Sequence, residues 1–549
     1  MSPRRTAVTA AVLSLLSLAV AACGSPAAPA NPSGSGATGA AEPRAGGAVT
    51  HATGKEPDCW DPHASAQDVT AYLQRPVYDS LVYQAPDGKL SPWLATGWKV
   101  GADGKEYTFT LRQDVTFHDG GKLDAEAVKA NFDHITAKKT QSQYAAGLLG
   151  PYEGITVSGP YEVKVRFSRP YVPFLQAAST TFLGIASPAS LKAGADKLCA
   201  GQSVGSGPFK AGDYVRGQQR LYTRNPDYRW GPEATGRTGP APLDSVKVRF
   251  IPEAATRVGA LTSGQVDSAD GIPATQKALI ERDQRLSVLE GQVPGAVDAF
   301  YLNTKSPLFS DKRVREAFQR AIDLDALVKS VFQGANARAW SLLSPTTPDS
   351  YDASLEGTWP PDRALAERLL DEAGWTGRDA EGYRTKDGRR LSVVAPVYGE
   401  ASTFSQAVQG DLKKVGIHFD LKASTDATEV STMLDEGRYD VVELSWARAD
   451  GDILSHFFFS TESSVGGGHN FAKVADPEVD KWLTGAQTTG EPAERAALYA
   501  KVQKWALDNA AAVPAYVTTQ TVGFSKKVHG LRLNIASWPE FAAASVEAS

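Results

Sequence analysis

Hydrophobic positions recur along this chain with two periods, and the switches between them mark its elements. Period two runs through residues 107–112, 161–167 and 246–250, the alternation of half-buried strands. A first strand opens at residues 48–51 and a short one is predicted at 299–303. Helical spacing takes over where Val128, Phe132 and Ile135 follow Asp124, a residue suited to capping. It recurs in Val314, Ala317, Phe318 and Ala321 behind Ser310 and Asp311, and in Leu327, Val328 and Val331 behind Asp323. Further helices are predicted over residues 68–82, 254–264, 362–373 and 494–509, with a strand over 513–524. Residues 391–446 read strand, helix, strand, helix, strand, the helices stopped by Gly416 and Gly437. That alternation predicts an α/β fold with a parallel sheet.

The last of these strands carries the first candidate chemistry. Val441, Val442 and Leu444 form an apolar run that ends in Trp446, Arg448, Asp450 and Asp452. Strand ends in α/β folds are where ligands sit. An aromatic face beside fixed charges suits a polar molecule with an apolar part. A core tryptophan with solvated loop charges is the alternative. The loop after the first strand places Glu56 at a strand end too, and Tyr144 falls in a polar stretch after a predicted helix.

The N-terminus breaks the pattern. Arg4 and Arg5 precede an apolar run over residues 7–20, too short to remain as a membrane span. Val20-Ala21-Ala22-Cys23 then has the form of a lipobox: small residues for a signal peptidase and a thiol to take the lipid. An ordinary secretory signal ending near a cysteine is the alternative. Residues 1–22 are thus a lipoprotein signal peptide, and 23–47 a lipidated Cys23 followed by Ala, Pro, Ser and Gly without large apolar side chains. Such a tether reaches roughly 25–30 Å. This places the protein on the outer face of the plasma membrane. Export also permits a disulfide between Cys59 and Cys199, with two free buried thiols as the alternative.

Composition narrows the classes. The 549 residues are 42% hydrophobic and 22% charged with net charge −5, a soluble globular balance without the basic footprint of a nucleic-acid binder. The eight histidines form no dense metal motif. His456 and His469 are the nearest pair, separated by a Gly-rich loop, and read as surface residues. No G-x-S-x-G elbow lies in the globular part, so a hydrolase lacks its nucleophile signal. No cofactor and no metal are expected.

The segment SPWLATGWKVGADGKEYTFTLRQDVTFHDGGKLDAEAVKANFDHI, residues 91–135, closely resembles the family 5 extracellular solute-binding proteins of ABC transporters, the peptide, dipeptide and nickel-type binders. GSGPFK at 205–210, RNPDYRWGP at 224–232, the segment 301–327, LLDEAGW at 369–375 and VGI at 415–417 are similar too. The resemblance spans nearly all of the chain beyond the tether. It implies a two-lobed, type II periplasmic-binding-protein-like α/β fold: lobe I over 48–299 with a subdomain inserted at about 68–200, lobe II over 300–512, and a return to lobe I over 513–549. It implies a monomeric, non-enzymatic binder that captures a peptide-like solute between its lobes and delivers it to a permease with its ATPase subunits. A nickel or other metal chelate, a glycoside or an opine are alternatives within the family; a secreted hydrolase is the alternative outside it. By position, Glu56 and Tyr144 match cleft residues, and Phe300, Tyr301 and Asn303 lie at the lobe crossing. Peptide binders of the family keep an aspartate three residues after the tryptophan to hold the peptide's ammonium group. Here that position is Ala449, with Asp450 and Asp452 displaced along the chain.

Overall fold

The strand Ala48–Thr53 lies at the middle of a seven-stranded sheet in this computed structural model, which describes residues 45–462 and 468–547. The sheet order is Leu286–Gln292, Thr519–Ser525, Ser268–Ala269, Ala48–Thr53, Ser245–Phe250, Gln219–Arg224, Phe209–Val215. Ala48–Thr53 runs parallel to both of its neighbours, so three strand ends open in one direction.

Between Thr53 and Phe209 the chain builds a separate antiparallel sheet from Ala95–Val100, Glu106–Leu111, Glu162–Phe167 and Tyr152–Gly159. The helix Ala125–Thr136 covers it with Val128, Phe132 and Ile135, and Asp124 caps that helix by accepting from Ala127 N at 2.8 Å. Each of these side chains contributes about 1.5–3 kcal/mol on burial. Cys59 and Cys199 are joined by a disulfide, tying the loop after the first strand to the helix Ala195–Cys199. Closing a loop of this length stabilises by about 2–5 kcal/mol.

The second lobe is organised on the sheet Ala337–Arg338, Ala512–Val517, Gly295–Leu302, Val441–Ala447. Two strands cross from lobe to lobe as an antiparallel pair. Leu286–Gln292 pairs with Thr519–Ser525 in lobe I, and Gly295–Leu302 pairs with Ala512–Val517 in lobe II. Val293 N donates to Thr518 O at 2.9 Å where they change sheets. The expected boundaries at 300 and 513 therefore fall inside lobe II strands. The small residues Gly295 and Ala296 hid the start of the first, and hydrophobic periodicity does not register a change of partner sheet.

Three other expectations change. The helix expected over 68–82 ends at Gln74, because Pro76 bars its continuation and restricts Arg75. Ser392–Tyr398 and His418–Ser424 are parallel as read, but Val441–Ala447 runs antiparallel to Gly295–Leu302. Its start stays attached to the parallel pair through Asp440 N and Val394 O at 2.9 Å. The strand over 513–524 is two strands, as described. No helix among the described residues is long and apolar enough to cross a membrane; Cys23 lies outside the described residues.

Candidate functional site

The parallel strand ends of lobe I converge on the lobe crossing, and a cavity of about 420 Å³ opens there. Lobe I contributes Thr53 to Lys55, Asp68, Tyr72, Arg257, Asp270 and Trp538; the crossing contributes Val293 and Thr518; lobe II contributes Ala296, Val297 and Ser445 to Ala447. Its size is that of a small-molecule site. The walls are largely apolar and aromatic, with Tyr72, Trp446 and Trp538 as the large faces.

Close packing at the crossing shapes this cavity. Gly295 has φ +103°, and a Cβ there would lie 2.4 Å from Trp446 O and 2.5 Å from Arg448 N. Only glycine lets the strand end carrying Trp446 approach so closely. On the lobe I side Arg257 spends its guanidinium on the backbone. It donates to the carbonyls of Ile251, Pro252, Asp270 and Gly271 at 2.8–3.1 Å, fixing two strand-end loops. Tyr72 OH lies 2.9 Å from His51 Nε2, which lies 3.4 Å from Asp270 Oδ2.

Of the residues singled out from the sequence, Trp446 lines the cavity. Behind it, Tyr144, His456 and His469 pack on its ring at centroid distances of 5.1, 5.4 and 4.7 Å. Tyr144 is buried and lines a neighbouring void of about 90 Å³ with Arg448. His456 and His469 are not the surface pair expected. Their rings lie 4.3 Å apart, and burial lowers both pKa values, that of His469 to about 4, so both are neutral at pH 7.

Arg448, Asp450 and Asp452 are buried and already paired. Arg448 Nη2 lies 3.3 Å from Asp452 Oδ2, and Arg495 Nη2 lies 3.0 Å from Asp450 Oδ1. Burial works against the Arg448 charge, but Asp452 beside it raises its pKa overall. Asp452 also accepts from Ser455 Oγ at 2.6 Å, Gln487 Nε2 at 2.8 Å and Tyr171 OH at 3.3 Å. Tyr171 belongs to the inserted segment of lobe I, as do Gln176, which accepts from Arg448 Nε, and Gln84, which donates to Ala449 O at 3.1 Å. Arg169 reaches Gln487 Oε1 at 2.6 Å. Arg448 and Asp452 thereby fasten lobe II to the inserted subdomain, while Arg495 holds Asp450 within lobe II.

The remaining candidates face elsewhere. Glu56 accepts from Tyr214 OH at 2.6 Å and Gly217 N at 2.9 Å, within lobe I. Phe300 is a core ring among Phe318, Phe404 and Phe419. Tyr301 stacks on Phe457 at 5.0 Å, fully buried. Asn303 donates to Tyr439 O at 3.0 Å. Sequence reasoning missed Lys55, Asp68, Tyr72, Arg257, Asp270 and Trp538. Strand-end position was the available signal for Lys55 and Asp270; nothing local marked Trp538.

Among the described residues one group of three potential metal ligands comes together, Asp61, His63 and His134, all buried. His134 Nε2 lies 2.9 Å from Asp61 Oδ2 and His63 Nε2 lies 2.8 Å from Gly184 O. Burial opposes the Asp61 charge, yet the His134 hydrogen bond and His63 hold its pKa low. None of the three lines the interlobe cavity.

The model of the bacterial extracellular solute-binding proteins, family 5 Middle, matches residues 89–465, more than half of the sequence. The chain belongs to this family. A similar relative is the "Probable D,D-dipeptide-binding periplasmic protein DdpA" of Escherichia coli K12, 27% identical over 502 residues, covering 87% of this chain and 90% of that one. The nickel-binding periplasmic protein of the same organism is 26% identical over 465 residues, covering 82% and 86%. Among solved structures, NikA from Brucella suis in complex with Fe(III)-EDTA superposes with a TM-score of 0.78 at 26% identity, covering 91% of this chain and all of that one. This family 5 protein is a solute-binding component of a transporter and not an enzyme.

Proposed function

We propose that this family 5 protein captures a short peptide or peptide-like solute in the interlobe cavity and presents it to an ABC permease while tethered to the membrane by lipid on Cys23. The observation that carries this reading is the cavity itself: both lobes and both crossing strands line it, with Trp446 as an aromatic wall. A solute touching both lobes favours the closed form by that differential contact. Closure also strengthens polar contacts by excluding water. The D,D-dipeptide binder among the relatives supports the solute class. Tethering raises the effective concentration of the loaded binder at the permease.

A metal chelate is the second reading. The nickel-binding relative supports it, while the His456–His469 pair packs behind Trp446 and does not line the cavity. Tryptophan fluorescence titration with di- and tripeptides, and separately with nickel–histidine, decides between them. Saturable quenching by peptides recovered intact supports the proposal. Response to the chelate alone supports the second reading, and peptide hydrolysis contradicts both. Cys23→Ala releases the protein from membranes if the anchor is as proposed; continued lipid labelling contradicts it.

A further inference from the structure

We propose that the solute carries a protonated amino group, and that the Asp68 carboxylate, presented by lobe I, is its counter-charge. The inference rests on the reading that the interlobe cavity holds a solute, and it names the chemistry that cavity selects. Ala449 leaves lobe II without an acid three residues after Trp446, and the two acids that follow are consumed by Arg448 and Arg495. Lobe I supplies what lobe II lacks. Asp68, in the first turn of the helix Asp68–Gln74, stands on the cavity wall with Trp446 and Ala447.

One of its two oxygens is unspent. Asp68 Oδ1 is buried and has no hydrogen-bond partner in the structure. The neighbouring carboxylates differ: Asp270 meets His51, and Glu56 meets Tyr214 and Gly217. A buried carboxylate oxygen without a donor is costly, and an ammonium group relieves that cost with a charge-assisted hydrogen bond. Burial pushes the Asp68 pKa up to about 7, against the lowering by Lys55 and by the Ala447 N–H. Burial in the cavity wall therefore disfavours the ionised form, and a cation on the free oxygen would favour it.

The surroundings suit the same group. Tyr72, Trp446 and Trp538 line the cavity, and aromatic faces attract a cation that the carboxylate has oriented. Arg257 lines it too, but its donors are committed to four carbonyls. Lys55 is exposed on the same wall. Among the described residues no ion pair joins it to Asp68, which leaves its ammonium for a solute carboxylate. A free amino terminus on Asp68 and a carboxylate toward Lys55 describe a short zwitterionic peptide.

The test is isothermal titration of wild-type protein and Asp68→Asn with L-alanyl-L-alanine and with N-acetyl-L-alanyl-L-alanine at pH 8. Circular dichroism establishes that the isosteric variant is folded. Wild type is expected to bind the free dipeptide at least tenfold tighter than the acetylated one. Asp68→Asn is expected to lose at least tenfold for the free dipeptide and less than threefold for the acetylated one. Equal binding of both peptides by wild type, unchanged in Asp68→Asn, overturns the role of Asp68 and leaves the peptide-binding reading standing. Binding of neither peptide by wild type overturns both.

Discussion

Asp452 separates a fastening role from a solute-binding role. It is 2% exposed, 3.3 Å from Arg448 Nη2, and accepts hydrogen bonds from Ser455, Gln487 and Tyr171. Asp452→Ala leaves the buried Arg448 guanidinium without its carboxylate and strands three donors. Breaking a buried ion pair from one side costs about 3–5 kcal/mol, and the stranded donors place the expectation at the upper end. Removing both charges should cost less, since apolar replacement of a buried pair is often near neutral. Arg448→Met with Asp452→Leu still strands the three donors but leaves no unpaired buried charge, and is therefore expected to lose about 1–2 kcal/mol less than Asp452→Ala. The assay is urea unfolding of solute-free protein, followed by circular dichroism and by tryptophan fluorescence, for wild type, both single variants and the double variant. A loss below about 1 kcal/mol in Asp452→Ala, together with a large loss of solute affinity, would refute the fastening role and return Asp452 to the solute.

Trp446 should show both effects. Its ring packs on Tyr144, His456, Phe457 and His469, so Trp446→Ala should cost about 3–5 kcal/mol of stability as well as affinity. Trp446→Phe should keep most of the stability and still weaken binding; unchanged affinity in both variants would remove Trp446 from the site. Asp68 gives a pH signature. Its folded pKa, about 7, lies above the ordinary aspartate value of 3.8, so the folded state holds the proton more tightly and stability is lost as pH rises between the two. With screening by the open cavity, wild type should lose about 1–2 kcal/mol relative to Asp68→Asn between pH 5 and 8.5. Parallel stability curves for the two proteins would contradict that. Mass measured after alkylation with and without reductant should show Cys59 and Cys199 protected until reduction; two alkylated thiols in native protein would exclude the bond.

Much of the architecture was legible because it is written locally. Asp124, Asp311 and Asp323 cap the helices expected of them, and Gly416 closes its helix at φ +87°. Strand partners were not, since the neighbour of Val441–Ala447 is Gly295–Leu302, far away in sequence. The same division holds at the site. Trp446 announced itself as an aromatic at the end of an apolar run. The charges after it looked equally available, but the partners that occupy them, Arg495 and the inserted residues Tyr171 and Gln176, come from remote segments. Asp68 looked like an ordinary helix-opening acid, and only the fold sets it on the cavity wall beside Trp446 and Ala447. Glu56 shows the reverse error: a strand-end loop does face the cavity, but through Lys55, while the next side chain turns back to Tyr214.

Native mass spectrometry of freshly purified protein would reveal a captured solute, because a solute closed between two lobes survives gentle desolvation. A bound small molecule is expected at one copy per chain, lost on partial unfolding, displaced by an added short peptide, and absent from Trp446→Ala. A protein that stays unliganded when mixed with peptides, or that returns them cleaved, would contradict peptide capture.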